Sequence, residues 1–574
     1  MIIKTRHCAV AALVCCFLIA AKSEDKTNET KPSQPKLTAR TELVMVPALV
    51  TDKSGNHITG LKQEDFSVQE NGAAQKIATF EEITSQPAHV SRVLNANEFS
   101  NSVAGDFQAA RVTIIVLDFI NTPFMAQTDA RKQLLKYLAQ SADAREPTGL
   151  YTLTRNGIEV IHDFTSDPAI LAAALHMVNG DPYQMVDTPE TSGSNAAGSS
   201  AAGSAGSTGH QASKRHSHDA AQKESQALQK MTQDTEQNFR AFEQRVAITY
   251  TLQGLQQIAQ AVGGIPGRKA LIWASGGFPF NVSDTMQLSP VRDSLADVLP
   301  LYERTWQLLN QAQIALYPVD VKGLRVLPIT SGPISRNPRK FSQQRSRSRD
   351  FDTQSSFEIF ASATGGRAYF GSNDLSKGFR DAVNDSSQYY MLGYYRDSSQ
   401  SKPGWRKLNV KTDRSHVEVR ARSGFYLSET NADRAKVRTN DLSSALQSPV
   451  DFTSLSLVVR WNKVEDGKKP GTKRVNYEVR LAPGAALIDD SDNNRLALDF
   501  VALPKTPDGQ PAGPPMGQKI DGHLPPEKLP AIRQQGVLYT DAVELAPGDY
   551  TVRFVVRDDL SGRMGSLSAP LKVE

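Results

Sequence analysis

Cysteine is almost absent from this 574-residue chain, and the three present, Cys8, Cys15 and Cys16, all fall in its first sixteen positions. Everything downstream therefore lacks a thiol nucleophile, a redox pair, a disulfide or a zinc ribbon. Charge of one sign is lacking too. The whole chain carries 65 basic and 61 acidic residues. Removing Lys4, Arg6 and Lys22 with the leader described below leaves 62 against 61, so nothing argues for nucleic acid or an anionic membrane as partner. Catalytic signatures are missing as well: there is no G-x-S-x-G elbow, no P-loop, no H-E-x-x-H, and no G-x-G-x-x-G opening a helix after a strand. Gly263-Gly-Ile-Pro-Gly267 precedes a strand rather than follows one, and reads as the end of a helix.

What is present begins with Lys4 and Arg6 ahead of an apolar run from Cys8 to Ala21, then Ala21-Lys-Ser23 before Glu24. Residues 1–23 read as a secretory signal peptide, too short and wrongly flanked for a spanning helix. The expected product is secreted or periplasmic and has no membrane span after cleavage. A lipid on Cys16 is disfavoured because Cys15 stands where a small residue is wanted. Residues 24–41, rich in Lys, Thr, Ser and Pro, read as a disordered leader. A secreted protein of this length without disulfides must be held by its hydrophobic cores.

Residues 42–83 read as a small β element, with Asn71-Gly72 between alternating segments as a hairpin signal. Arg111-Val-Thr-Ile-Ile-Val-Leu-Asp118 is an apolar run ending on an aspartate, as expected of a strand buried on both faces. Strand and helix patterns alternate from there to about Tyr395. The spacing predicts an α/β fold class: a doubly wound, mostly parallel sheet, Rossmann-like in form, with helices on both faces. Residues 189–213, a Ser/Gly/Ala run, and residues 322–352, rich in Arg and Ser, read as flexible insertions. Residues 451–574 show short alternating strands with Gly/Pro punctuation, which predicts an antiparallel β-sandwich of immunoglobulin-like form.

Three stretches together resemble the von Willebrand factor A domain, in the version found in exported acidobacterial proteins. They are Val-Thr-Asp-Lys-Ser-Gly55 with Asp65-Phe-Ser-Val-Gln-Glu-Asn-Gly72, the Asp118 strand, and Arg268-Lys-Ala-Leu-Ile-Trp-Ala-Ser-Gly-Gly277. The resemblance covers roughly residues 42–427, with the A-like domain itself at 108–427. It implies a divalent-metal site formed by Asp-x-Ser-x-Ser at the end of the first strand, a loop threonine and a fourth-strand aspartate. This chain departs from that pattern. Asp118 is kept, Ile120 replaces the middle hydroxyl, Thr122 stands for the last, and Gly276 or Gly277 occupies the place of the second carboxylate. With Asn121 and Ser275 as substitutes, the residues predict weak Mg²⁺ binding at most, with Asp118 and Thr122 as ligands. Hydrogen bonding of the strand-to-helix loop by Asp118 and Thr122 is the favoured role.

The expected function is that of an exported, non-enzymatic interaction or adhesion protein with a degenerate metal site. It would bind an unidentified protein or envelope component through Asp118, Asn121, Thr122 and Ser275 at the C-terminal edge of the sheet. The alternative is an extracytoplasmic hydrolase using Asp118. His210, His216 and His218 cluster in and beside the first insertion, and Arg336, Arg339, Lys340, Arg345, Arg347 and Arg349 crowd the second. Both read as solvated residues of loops.

Overall fold

The computed structural model describes residues 41–84, 95, 97–101, 112–140, 147–178, 214–278, 298–322, 354–371, 375–397, 404–427 and 434–574. The signal peptide, the leader, the insertion at 189–213 and nearly all of 322–352, its basic run included, lie outside them.

A five-stranded sheet positions the candidate site. Strands β6 (Thr113–Asp118), β9 (Lys269–Ser275) and β10 (Ile314–Asp320) are buried at every position. With β7 (Thr148–Thr154) and β8 (Gly157–Thr165) they stand in the order β10-β9-β6-β7-β8. The first four are parallel and β8 is antiparallel. Successive side chains of a strand point to opposite faces, so Ile114 and Val116 enter one core and Ile115 and Leu117 the other. The first core is closed by α3 (Lys214–Val262), α4 (Leu299–Gln311) and α5 (residues 354–364), through Leu252, Leu255, Trp306, Phe357 and Phe360. The second is closed by α1 (Phe124–Gln140), α2 (Pro168–His176) and α6 (Ser376–Asp385), through Leu134, Leu171 and Phe379. Helix α2 starts as the Asp167-Pro168 pair dictates: Asp167 accepts the Ala169 amide and Pro168 sits where no donor is needed.

The expected fold class is nevertheless overturned. The chain is mixed α/β, but four of its five described sheets are wholly antiparallel, and a doubly wound Rossmann-like core is not what organises it. The strands expected to close the α/β pattern go elsewhere. Strand β11 (Gln388–Asp397) lies between β1 (Thr41–Asp52) and β4 (Ile77–Thr84), with β13 (Val417–Ala421) beyond β1. Strand β12 (Gly404–Thr412) lies between β14 (Gly424–Leu427) and β2 (Phe66–Glu70), followed by β3 (Ala73–Gln75). These two sheets share one core, built from Val46, Val50, Val68, Leu392, Tyr394 and Leu408. The small N-terminal β element thus forms its layers with strands more than 300 residues away. Its hairpin is the expected one: Asn71 and Gly72 have φ of 48° and 85°, the left-handed pair that a two-residue turn requires.

The C-terminal region also draws on distant chain. Its sheets are β19-β16-β15-β5 and β18-β17-β20-β21. They comprise β15 (Leu457–Asp466), β16 (Lys473–Leu481), β17 (Arg495–Lys505), β18 (Met516–His523), β19 (Val537–Leu545), β20 (Gly548–Asp558) and β21 (Met564–Val573) around a shared core. The eighth strand, β5 (Glu98–Ser100), comes from the other end of the chain. Asn101 fastens it: its amide donates to the Phe452 and Leu455 carbonyls at 2.6 and 2.7 Å and accepts the Leu457 amide at 2.8 Å. Helix α7 (Arg434–Gln447) lies between the regions expected at 108–427 and 451–574. The end of α3 seats against this region as well, since a Cβ on Gly264 would lie 2.0 Å from the Thr453 carbonyl oxygen. Lys269 closes that helix end by donating to the Ile265 and Gly267 carbonyls, and burial pushes its ammonium down to about 7.

Candidate functional site

The chain leaves β6 at Asp118 and turns back into α1 over residues 119–123, at the C-terminal edge of the parallel strands. This is where the strand order reverses, with β7 on one side of β6 and β9 on the other. Asp118 is buried and its two oxygens are fully engaged. Oδ1 accepts the backbone amides of Ile120 and Asn121, both at 3.0 Å. Oδ2 accepts the Asn121 side-chain amide at 2.7 Å and the Trp273 indole N–H at 3.1 Å. Ser275 Oγ lies 2.8 Å from Oδ2 and 2.7 Å from the Gly277 carbonyl oxygen, so its one proton is shared between two acceptors.

Burial, the strongest influence, raises the Asp118 carboxyl above its ordinary value, and hydrogen bonds from Asn121, Ser275 and Ile120 pull the other way. The donors around Asp118 are all neutral, and among the described residues no cation pairs with it.

The remaining residues lock the same turn. Asn121 passes its second amide hydrogen to Thr251 of α3 at 2.8 Å, while its Oδ1 is buried and finds no partner among the described residues. The Thr122 hydroxyl accepts the Gly276 amide at 2.8 Å, and Gln127 donates to the Thr122 carbonyl at 2.9 Å. A Cβ on Gly276 would lie 2.9 Å from the Asn121 carbonyl oxygen and 3.0 Å from Thr122 Cα. The glycine standing where the A-domain pattern has its second carboxylate is thus what lets the two loops touch.

The divalent cation implied by the resemblance does not fit these residues. N–H donors already point at Asp118 Oδ2 where a cation would sit, and an N–H cannot coordinate one. Thr122 turns its hydroxyl to Gly276, and Ile120 packs into the core. Among the described residues no group of three His, Cys, Asp or Glu side chains could hold a metal ion. Of the four residues expected to bind a partner, Asp118, Thr122 and Ser275 are buried, which places them to shape the turn rather than to touch anything outside it. Asn121 alone is partly exposed.

Three residues of the site escape sequence reasoning: Trp273, Thr251 and Asp320. A tryptophan in a fully buried strand must find an acceptor for its N–H, which is the one signal that could have pointed from Trp273 to Asp118. Asp320 ends β10 level with Ser275 and accepts the Lys322 amide at 3.0 Å. One strand, β9, separates it from Asp118, so the two lie two inter-strand spacings apart, roughly 10 Å. His216 and His218 fall in the first turns of α3, where their side chains are outside the described residues, as is His210. The small pocket bounded by Val50, His57, Glu82 and Tyr390 belongs to the N-terminal β layers and does not include Asp118.

Immediately past the locked turn the surface changes character. Phe124 and Met125, the first two residues of α1, are 40% and 76% exposed. Compared with known proteins, the chain matches no family model and no curated protein. No described helix is long and apolar enough to cross a membrane.

Proposed function

We propose that this chain is an exported, non-enzymatic interaction protein, of the adhesion type suggested by its von Willebrand A-like stretches, and that it contacts its partner through the outer surface of the β6–α1 turn. The observation that carries this reading is the closed Asp118 network in the turn that leads directly into exposed Phe124 and Met125. A carboxylate engaged by five neutral donors stiffens a loop, and a stiff loop presents apolar side chains at little entropic cost. Exposed apolar side chains are common singly, but two in succession at a sheet's switch point favour a contact surface. The same geometry argues against a hydrolase using Asp118. A general base needs a free oxygen facing substrate, whereas both oxygens here face inward to protein donors.

The test is capture from the native envelope with immobilised protein, comparing the natural chain with the Phe124→Asp/Met125→Asp variant. The reading expects a specific partner on the first and its loss on the second. Turnover of a hydrolase or nuclease substrate, abolished by Asp118→Asn in a protein that still folds, would overturn it.

A further inference from the structure

Helix α3 has 49 residues, about 73 Å at 1.5 Å per residue. Among its described side chains the packed ones lie in its last part: Ala247, Ile248, Leu252, Leu255, Ile258 and Val262 enter the core beside the parallel sheet. Before Val246, Met231, Phe239 and Phe242 stand 68%, 60% and 64% exposed. At 3.6 residues per turn they fall within roughly 80° of one another, on the side opposite the core-facing residues. Where the helix packs, that outward side turns polar, with Thr249 and Gln253. Among the described side chains the apolar stripe therefore lies before Val246, and an exposed helical stretch of this kind gains little stability in water without a partner.

We propose that the exposed stripes of α3 around residues 231–242 from two copies of this chain pair antiparallel, crossing at Phe239 and Phe242. The charges of the stretch indicate a like partner. Lys230, Arg240 and Arg245 balance Asp234, Glu236 and Glu243, so the surface selects neither an acidic nor a basic ligand. An antiparallel crossing centred between Phe239 and Phe242 sets each of these rings against the other twice. It puts Met231 level with Tyr250, since 231 and 250 have the same sum as 239 and 242. One flank brings Arg245 within a turn of Asp234 on the other copy. The opposite flank brings Glu236 near Glu243, the one unfavourable pairing, at a solvated rim where salt screens it. A two-fold contact buries both stripes at once and leaves neither of them open to further growth.

Sedimentation of the full chain at rising concentration tests this. The natural chain is expected to reach dimer by tens of micromolar. Phe239→Glu/Phe242→Glu, at positions exposed in the single chain, should raise the dissociation constant by at least about a hundredfold, as expected for loss of central aromatic contacts. Met177→Glu, at another exposed apolar residue on the far side of the sheet, should leave it unchanged. A natural chain that stays monomeric, or a double variant that dimerises as well as the natural chain, overturns the proposal.

Discussion

Asp118 and Asp499 are both buried carboxylates, and they are handled in opposite ways. Asp118 is surrounded by neutral donors, two of them amides of the residues that immediately follow it. Asp499, in β17, receives a two-pronged guanidinium from Arg438 at 2.7 and 2.8 Å. The first arrangement shapes a five-residue turn and, among the described residues, brings no cation to the acid. The second pins α7 across the C-terminal sheets, so that a helix with weak apolar periodicity has a fixed seat. A buried acid ringed by N–H groups is an instrument of local shape, while one paired with arginine joins distant parts of the chain.

Removing Asp118 should have the largest effect. In Asp118→Ala the amides of Ile120 and Asn121 and the Trp273 indole N–H all lose their acceptor, at about 1–3 kcal/mol for each buried donor left unpaired. Denaturant unfolding should report a loss of roughly 3 kcal/mol or more. A loss well below that would mean that water reaches the turn, and the rigid-platform account would weaken. Arg438→Ala comes next. It leaves the fully buried Asp499 without its cation, which costs about 3–5 kcal/mol, and proteolysis should open first at residues 434–447.

The sequence made individual elements of both regions readable, and partners much less so. Asp118 at the end of an all-apolar run marks a strand-end carboxylate, and Asn71-Gly72 marks a hairpin, because both signals are complete within a few residues. Where β11 and β12 pair is decided by matching two apolar faces more than 300 residues apart, and local periodicity carries nothing about that match. The same limit hid β5, three residues long and recognisable only once Asn101 is seen gripping Leu457. It also hid α7, whose short apolar patch of Leu442, Ala445 and Leu446 is joined by ion pairs from Arg438 and Asp441. At the site, Asp118, Thr122 and Ser275 were legible as residues that belong together. Their inward orientation was not, because Trp273 and Thr251 reach them from other elements.

A smaller effect distinguishes the two kinds of acid by pH. The folded-state value of Asp118 is raised above the ordinary 3.8. As pH climbs from there, the unfolded chain releases a proton that the folded chain retains. Stability from this group therefore falls with rising pH and levels off above the folded value. Asp118→Asn should remove that decline from the stability–pH profile. Asp521 behaves conversely: Arg495 holds it down to about 2, so its contribution is present above 3.8 and is lost as pH falls toward 2. A natural profile that shows no decline above 3.8 attributable to Asp118 would place its carboxyl in water.

The most direct measurement is a set of thermal melts of the natural chain and of Asp118→Ala, each in chelator and in millimolar Mg²⁺ or Mn²⁺. A turn closed by protein donors predicts superimposed melts for the natural chain, because stabilisation follows RT ln(1 + [L]/Kd) and a site that does not take the ion contributes nothing. A micromolar site would add about 4 kcal/mol at a thousandfold excess of metal. A rise of that size in the natural chain, absent from Asp118→Ala, would contradict the account and make Asp118 a metal ligand.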